Sequence, residues 1–323
     1  MGITNDYPFW SCVLDIRQFE ALAALAREKH FTRAAQACNI SQPTLSGRIQ
    51  QLELEVGVPL VSREKRYQRL TPEGERILKW AHVILKNWDS LEQEVAQLRD
   101  AKRGLSGRIV LGGIPSALPM IPFLTKELNA RHPNVEFSVL SLSSDEIVRS
   151  LADGSIAAGV TYIDNEPLEN VLVTPLYTER YCLFVSETHP LAQRENISWC
   201  EAASKPLCLL TPSMQNRRII DGAFREAKVR AMVRIETNSI INLCSNVRVL
   251  GIASIMPDCV MNVLGAEAGI MAVPLVEPKV AHRVGLVVTK SDLISPLIAA
   301  LQRTATALSQ GPICETGRRA GPD

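Results

Sequence analysis

Ile40-Ser41-Gln42-Pro43-Thr44-Leu45-Ser46-Gly47-Arg48-Ile49-Gln50-Gln51-Leu52 is the stretch on which the fold turns. Ser41 reads as an N-cap, because a side-chain oxygen there can accept a bond from a backbone N–H that the helix leaves free. Pro43 suits the first turn, where its missing N–H costs nothing. Leu45, Ile49 and Leu52 then recur at i, i+4, i+7 on one face, the spacing of a buried helical stripe. The opposite face carries Gln42, Thr44, Ser46, Arg48 and Gln51. Polar side chains of this kind, near a helix N-terminus that follows a short turn, are what reading base edges in a DNA major groove requires. Upstream, Leu14, Phe19, Leu22, Ala23, Leu25 and Ala26 predict an amphipathic helix ending near Lys29 and His30. Thr32 is the expected cap of a second helix, whose small residues Ala34, Ala35 and Ala37 let a neighbour approach closely, and Asn39-Ile40 is the break before the third.

The series Phe31-Thr32-Arg33-Ala34-Ala35, Ile40 to Ser46, Leu52-Glu53, Val56-Gly57-Val58-Pro59-Leu60, Arg63, Arg66 and Leu70-Thr71-Pro72-Glu73-Gly74 resembles the reading head, wing and linker start of LysR-type transcriptional regulators over about 60 residues. A small helical bundle with a merely solvated polar face would not reproduce that order. The resemblance implies a winged helix-turn-helix over residues 14–72, preceded by an extension (1–13), with double-stranded operator DNA as its partner. It would set Gln42, Pro43, Thr44 and Arg48 against base edges or nearby phosphates. Ser41 and Ser46 would support them at the backbone, and Arg63, Lys65, Arg66 and Arg69 would follow the wing. Phosphate contacts would supply affinity and base contacts specificity. Two residues depart from the family pattern: Gly47 lies inside the recognition helix, at a cost of about 1 kcal/mol in helix propensity, and Val61 stands in place of the usual aromatic.

From Glu73 through residue 103 a single long helix is predicted, with Ile77, Ala81, Ile84, Trp88, Leu91, Val95 and Leu98 alternating spacings of four and three. Such a heptad seam packs on its own protein or on a second copy. The family resemblance favours the copy, hence a homodimer that presents two reading heads to a partly palindromic site, extended to a homotetramer, with RNA polymerase as a further candidate partner.

Gly104 to Gly107 reads as a hinge, after which strand-like and helix-like runs alternate to about Leu308, the pattern of an α/β domain. Strands are predicted at residues 108–111, 135–140, 157–161, 181–185 and 207–210. The resemblance implies an effector-binding domain of periplasmic-binding-protein type over residues 104–310, with two subdomains (107–179 with 281–310, and 180–280) and an effector in the cleft between them. Small polar residues follow several strands: Pro115-Ser116, Ser143-Ser144 and Thr211-Pro212-Ser213. Free amides at helix starts plus a hydroxyl make an anion site without a charged side chain. Ser116, Ser144, Thr161, Thr211, Ser213 and Gln215 are therefore candidate effector ligands, with simple helix capping as the alternative for each. A small organic anion is the expected effector. Thr211 to Arg218 and Glu236 to Ser239 also resemble a branch of the family associated with formate dehydrogenase genes. Leu250-Gly251 stands where a glycine pair is usual.

Lys and Arg total 35 against 34 for Asp and Glu, so any attraction to nucleic acid must be local. No signal-peptide pattern and no apolar run of membrane-spanning length occurs, which points to the cytoplasm and to no membrane partner. Cys12, Cys38, Cys182, Cys200, Cys208, Cys244, Cys259 and Cys314 show no C-x-x-C spacing, and no metal or cofactor is expected. An enzyme is disfavoured, because no nucleophile elbow, P-loop, dinucleotide fingerprint or H-E-x-x-H motif is present and His30, His82, His132, His189 and His282 lie far apart. A periplasmic binding protein would have no use for the reading head. The rival reading within the family is a redox sensor using Cys200 and Cys208. Against it, the loop after Leu210, where the family's redox cysteine would fall, carries Met214, Gln215 and Asn216. The tail 311–323, rich in Gly, Pro and Arg, is predicted to be disordered.

Overall fold

The computed structural model describes residues 14–62, 69–99, 104–264, 269–291 and 293–310. Arg63, Lys65 and Arg66, the extension 1–13 and the tail 311–323 lie outside the described residues. The chain divides into two compact units, Met1–Ala96 with Asp153–Ser155, and Gln97–Ala152 with Ile156–Asp323.

In the first unit, α1 (Ile16–Glu28) starts at Asp15. The Asp15 side chain accepts from the Arg17 amide while Gln18 Oε1 accepts from the Asp15 amide at 2.9 Å, a reciprocal cap. The cap of α2 (Phe31–Ala37) is His30, whose Nδ1 accepts from the Thr32 amide at 3.2 Å. Thr32, expected to cap this helix, lies one residue inside it, because the chain turns at Lys29 (φ 51°) and leaves His30 extended. Helix α3 (Gln42–Val56) is capped by Ser41, whose Oγ accepts from the Thr44 amide at 3.3 Å, and it ends at Gly57 with φ 79°. Leu45, Ile49 and Leu52 are wholly buried, the first two against Ala21, Leu25, Ala34, Ala35 and Val61. That burial gives the physical reason for Val61: the position points into a small core and needs an apolar side chain of modest size.

Strands β1 (Val61–Ser62) and β2 (Arg69–Leu70) pair antiparallel as the base of the wing. Glu53 Oε1 ties this base to α3 by accepting from the amides of Leu60 (2.8 Å) and Val61 (3.0 Å). Helix α4 (Pro72–Arg99) begins where Thr71 Oγ1 accepts from the Gly74 amide at 2.9 Å. The expected seam along α4 is divided. Ala81 is fully buried and Ile77 partly so, both packed with Phe19, Leu22, Leu52 and Leu60 of their own unit, whereas Ile84, Trp88, Leu91, Val95 and Leu98 are exposed. The first turns of α4 therefore anchor the reading head, which removes Ile77 and Ala81 from the surface available to a second copy.

The second unit is a mixed sheet flanked by helices. In chain order it contains β3 (Ser106–Gly113), α5 (Ile121–Arg131), β4 (Asn134–Ser141), α6 (Ser144–Ala152), β5 (Ala158–Tyr162), β6 (Val171–Ser186), β7 (Ile197–Ser198), α7 (Trp199–Ala203), β8 (Pro206–Leu210), α8 (Gln215–Glu226), β9 (Met232–Thr237), α9 (Ile240–Leu250), β10 (Ala253–Pro257), α10 (Met261–Leu264), β11 (Ile270–Val276), β12 (Ala281–Thr289) and α11 (Pro296–Ser309). The order across the sheet is β4-β3-β5-β12-β6-β10-β8-β9, with β11 also on β6 and β7 on β11. The long strand β6 belongs to both halves. Val171 to Arg180 pair with β12, and Tyr181 to Ser186 pair with β10 and β11. Each half has helices over buried Val, Ile and Leu strands, the two-subdomain α/β form.

Two alanine substitutions in the first unit have opposite expected signs. A Cβ at Gly47 meets nothing within 4 Å, so Gly47→Ala is expected to stabilise α3 by about 1 kcal/mol. A Cβ at Gly74 would lie 2.1 Å from the Leu60 carbonyl oxygen, so Gly74→Ala is expected to destabilise the unit by about 1–3 kcal/mol. Amide hydrogen exchange across α1 to α3 reads both, and a shared sign would contradict this packing.

Candidate functional site

At the head of α3 the side chains of Gln42, Pro43 and Thr44 are exposed and those of Ser46 and Arg48 are half-buried. Ser41 Oγ lies 2.8 Å from Thr44 Oγ1 as well as holding the Thr44 amide, so both serve the helix start. The apolar stripe fixes the rotation of α3 and thereby presents this polar face to solvent. Gly47 opens a gap in that face.

The residues expected to line the cleft fall into two groups. Ser116, Ser144, Thr161 and Gln215 are buried, and the subdomains meet through Ser144 and Gln215. Ser144 Oγ donates to Gln215 Oε1, and Ser116 Oγ lies 3.4 Å from Tyr162 Oη. Thr161 Oγ1 has no partner. Thr211 and Ser213 instead pair with each other at 3.1 Å in a partly exposed turn. Simple capping is not the role of these residues. Ser143 and Glu146 form the reciprocal cap of α6, and no side chain caps α8 at Met214.

Sequence reasoning missed the centre of this cluster. Glu179 of β6 is fully buried; its Oε2 accepts from Tyr162 Oη at 2.6 Å and its Oε1 from Tyr177 Oη at 3.1 Å. Cys259 Sγ donates weakly to the same oxygen at 3.9 Å. Tyr162 Oη also lies 3.1 Å from Tyr181 Oη and accepts from Asn216 Nδ2 at 2.9 Å, which links β5, β6 and α8. Burial pushes the Glu179 carboxyl up to about 7, against the opposing effect of the hydroxyls that donate to it. The available signal was the alternation Tyr177, Glu179, Tyr181, which puts three polar-tipped side chains on one face of a strand. Arg218 adds a two-pronged ion pair across the subdomains, with Nε and Nη2 each 2.9 Å from an oxygen of Glu166.

Beside this cluster lies a cavity of about 1040 Å³, lined by Pro115, Leu118 and Ser141 of one subdomain and by Asn238, Ser239 and Arg248 of the other. None of the six expected effector ligands lines it. Burial disfavours the thiolate at several of the described cysteines. Burial pushes Cys182 up to about 12 and Cys208 and Cys244 up to about 11, while Cys200 is exposed. Among the described residues no His, Cys, Asp and Glu cluster could hold a metal, and no helix is long and apolar enough to cross a membrane.

A winged reading head joined by a long helix to a two-subdomain binding unit defines a class of DNA-binding regulators. The family model described as "LysR substrate binding domain" matches residues 102–309, and that described as "Bacterial regulatory helix-turn-helix protein, lysR family" matches residues 16–75. The chain belongs to the LysR family and is a LysR-type DNA-binding transcriptional regulator. It is 27% identical over 298 residues to the hydrogen peroxide-inducible genes activator of Haemophilus influenzae, covering 92% of this chain and 96% of that protein. It is likewise 27% identical to the DNA-binding transcriptional dual regulator OxyR of Escherichia coli, covering 91% of this chain and 95% of that protein. Among solved structures, a full-length OxyR variant from Pseudomonas aeruginosa superposes with a TM-score of 0.72 at 24% identity, covering 94% of this chain and 99% of that one. Full-length CbnR complexed with its target DNA gives a TM-score of 0.67 at 18% identity, covering 91% of this chain and all of that one.

A carboxyl that holds its proton more tightly folded than unfolded contributes stability below its ordinary value of 4.5 and loses it as pH rises to about 7. For Glu179 that loss is about 3 kcal/mol. Glu179→Gln is expected to remove this component. Urea unfolding of both proteins at pH 5 and pH 8 measures it, and an unchanged pH slope in the variant would count against a buried acid at this position.

Proposed function

We propose that this regulator couples a small polar effector, held in the cleft between its subdomains, to the binding of operator DNA. The observation that carries the reading is the polar seam of the cleft. Ser144 to Gln215 and Tyr162 to Asn216 bond across it, while Thr161 Oγ1 and Asn216 Oδ1 are buried without partners. A buried polar atom left unpaired costs about 1–3 kcal/mol, so a ligand that satisfies it binds one arrangement of the cleft selectively and shifts the population. The hydroxyls invoked for an anion are largely engaged, and the charged group in the network is a carboxyl, so a simple organic anion finds little support. The exposed stretch Ile84, Trp88, Leu91, Val95 and Leu98 of α4 supports pairing with a second copy, which would set two reading heads on a two-fold operator. Cleft and DNA then communicate through the spacing of those heads, in a dimer or a tetramer, to the benefit or detriment of RNA polymerase.

A redox reading has one observation in its favour, the names of the Haemophilus influenzae and Escherichia coli relatives. Cys208 opposes it, since peroxide oxidises thiolates and Cys208 is buried in β8 with its thiol pushed up to about 11, whereas Cys200 is exposed. Met214 stands in the turn between β8 and α8.

Arg48→Ala is expected to weaken operator binding by about 1–3 kcal/mol, roughly tenfold to a hundredfold, and to leave the thermal stability of the binding unit unchanged. Gel retardation and calorimetric melting check both. In the same retardation assay, peroxide is expected to act alike on the wild type and on a variant with Cys200→Ser and Cys208→Ser. A peroxide response lost in that variant would replace the effector reading with the redox one.

A further inference from the structure

The Glu179 carboxyl sits at the seam between the two halves of the binding unit. Ser116, Tyr162 and Tyr177 approach it from the half built on β12, and Tyr181, Asp258 and Cys259 from the half built on β10. Asn216 of α8 reaches it at one remove, through the Tyr162 hydroxyl. Cys259 Sγ also lies 3.8 Å from the Ser116 carbonyl oxygen, a second contact across the seam. The strand that carries the acid changes sheet partner between Arg180 and Tyr181, so a rotation of one half on the other passes through the residues next to it. Parting the halves would take away the groups that keep water from this carboxyl.

Among the described residues that face Glu179 none is cationic. Arg180, the next residue of β6, is exposed and bears on Asp258. Asp258 disfavours a second negative charge nearby, and its own carboxyl accepts from the amides of Arg180 (3.3 Å) and Cys259 (2.9 Å). Beyond Tyr162, His282 of β12 stands edge-on to the ring at 6.1 Å and pairs with Asp164 at 3.2 Å. Burial pushes the hydroxyls of Tyr162, Tyr177 and Tyr181 and the thiol of Cys259 further up, so they keep their protons, whereas the Glu179 carboxyl, raised to about 7, changes charge near neutrality. The bonding changes with the charge. A carboxylate only accepts; with its proton it also donates, and a tyrosine hydroxyl must turn to receive that bond. Tyr162 Oη already accepts from Asn216 Nδ2 and lies 3.1 Å from Tyr181 Oη, so a turn there is passed to both.

We infer that the proton on Glu179 regulates the cleft: its presence favours the arrangement bonded across the seam, and its loss favours one in which the halves part and water reaches the carboxylate. This rests on the effector reading above and adds a second input to the same cleft. Closure takes the carboxyl out of water with no cation to compensate, so the closed form binds the proton more tightly than the open one. The closed form is therefore favoured on the acid side and loses that advantage as pH rises to about 7. With the ordinary value of 4.5 in the open form, the ratio of closed to open falls about tenfold between pH 6 and pH 8.

Infrared difference spectroscopy and hydrogen exchange on the full-length protein test this. The C=O absorption of a protonated carboxyl is expected at pH 6 and lost by pH 8 in the wild type, and this change is expected to be absent from Glu179→Gln. Exchange in residues 114–118, 158–163 and 215–220, expressed as protection factors so that the chemical effect of pH cancels, is expected to show about tenfold less protection at pH 8 than at pH 6. Glu179→Gln, neutral throughout, should keep its pH 6 protection at pH 8, Glu179→Asp should restore the dependence, and Asp258→Asn should leave it in place. Equal protection of the wild type at both pH values overturns the proposal, as does a dependence that survives in Glu179→Gln or vanishes in Asp258→Asn. The infrared titration needs no variant, so a wild type that loses no carboxyl proton between pH 6 and pH 8 overturns it even where Glu179→Gln does not fold. Gel retardation at the same two pH values separates this from the wider reading: if the cleft opens with pH while wild type and Glu179→Gln keep the same ratio of operator affinities, the proton switch stands and its coupling to DNA falls.

Discussion

Full burial of the Glu179 carboxyl constrains the second unit more than any other single feature. A carboxyl removed from water must be met by donors or hold its proton, and here three tyrosines, a serine and an asparagine are gathered round it directly or at one remove. The residues come from β5, β6, the turn after β3 and α8, so the demand of one buried group ties together elements from both subdomains. Its strand sharpens the effect. The sheet partner of β6 changes from β12 to β10 between Arg180 and Tyr181, directly after the buried acid. A change in what surrounds Glu179 is thereby felt at the point where the two subdomains share a strand.

In the first unit the corresponding constraint is shape. Gly74 lies so close to the Leu60 carbonyl that the start of α4 is pressed onto the wing base, and Glu53 holds the same segment from the other side through two amides. The orientation of α3 is set by three fully buried side chains, which leaves its polar face no freedom to turn inward. Helix α4 accordingly has two jobs along its length. Its first turns complete the core of the reading head, and the exposed Trp88 to Leu98 portion presents an apolar stripe for which the unit itself has no use.

The reading head was legible because its determinants are local. A cap, a proline in the first turn and an i, i+4, i+7 stripe are properties of consecutive residues, and the chain carried them in an order that resembles one family. The strands at 108–111, 135–140 and 207–210 were legible for the same reason. The buried acid was not, although Tyr177, Glu179 and Tyr181 alternate in plain view, because alternation alone does not say which face of a strand is closed to water. The seam along α4 shows the same limit from the other direction: its period was visible, but not that Ile77 and Ala81 would be taken by Phe19 and Leu22.

By itself, then, the sequence determined the class of protein, the helices of the reading head and the residue types of the cleft. Only the tertiary structure decided that Ser144 is bonded to Gln215 and not to a helix end, that Thr211 and Ser213 stand apart from the cluster, and that a carboxyl lies at its heart. The reason is physical. Helix caps and periodic stripes are decided within a few residues of chain, whereas the protonation and pairing of a buried group depend on what four separate elements bring within hydrogen-bond distance of it.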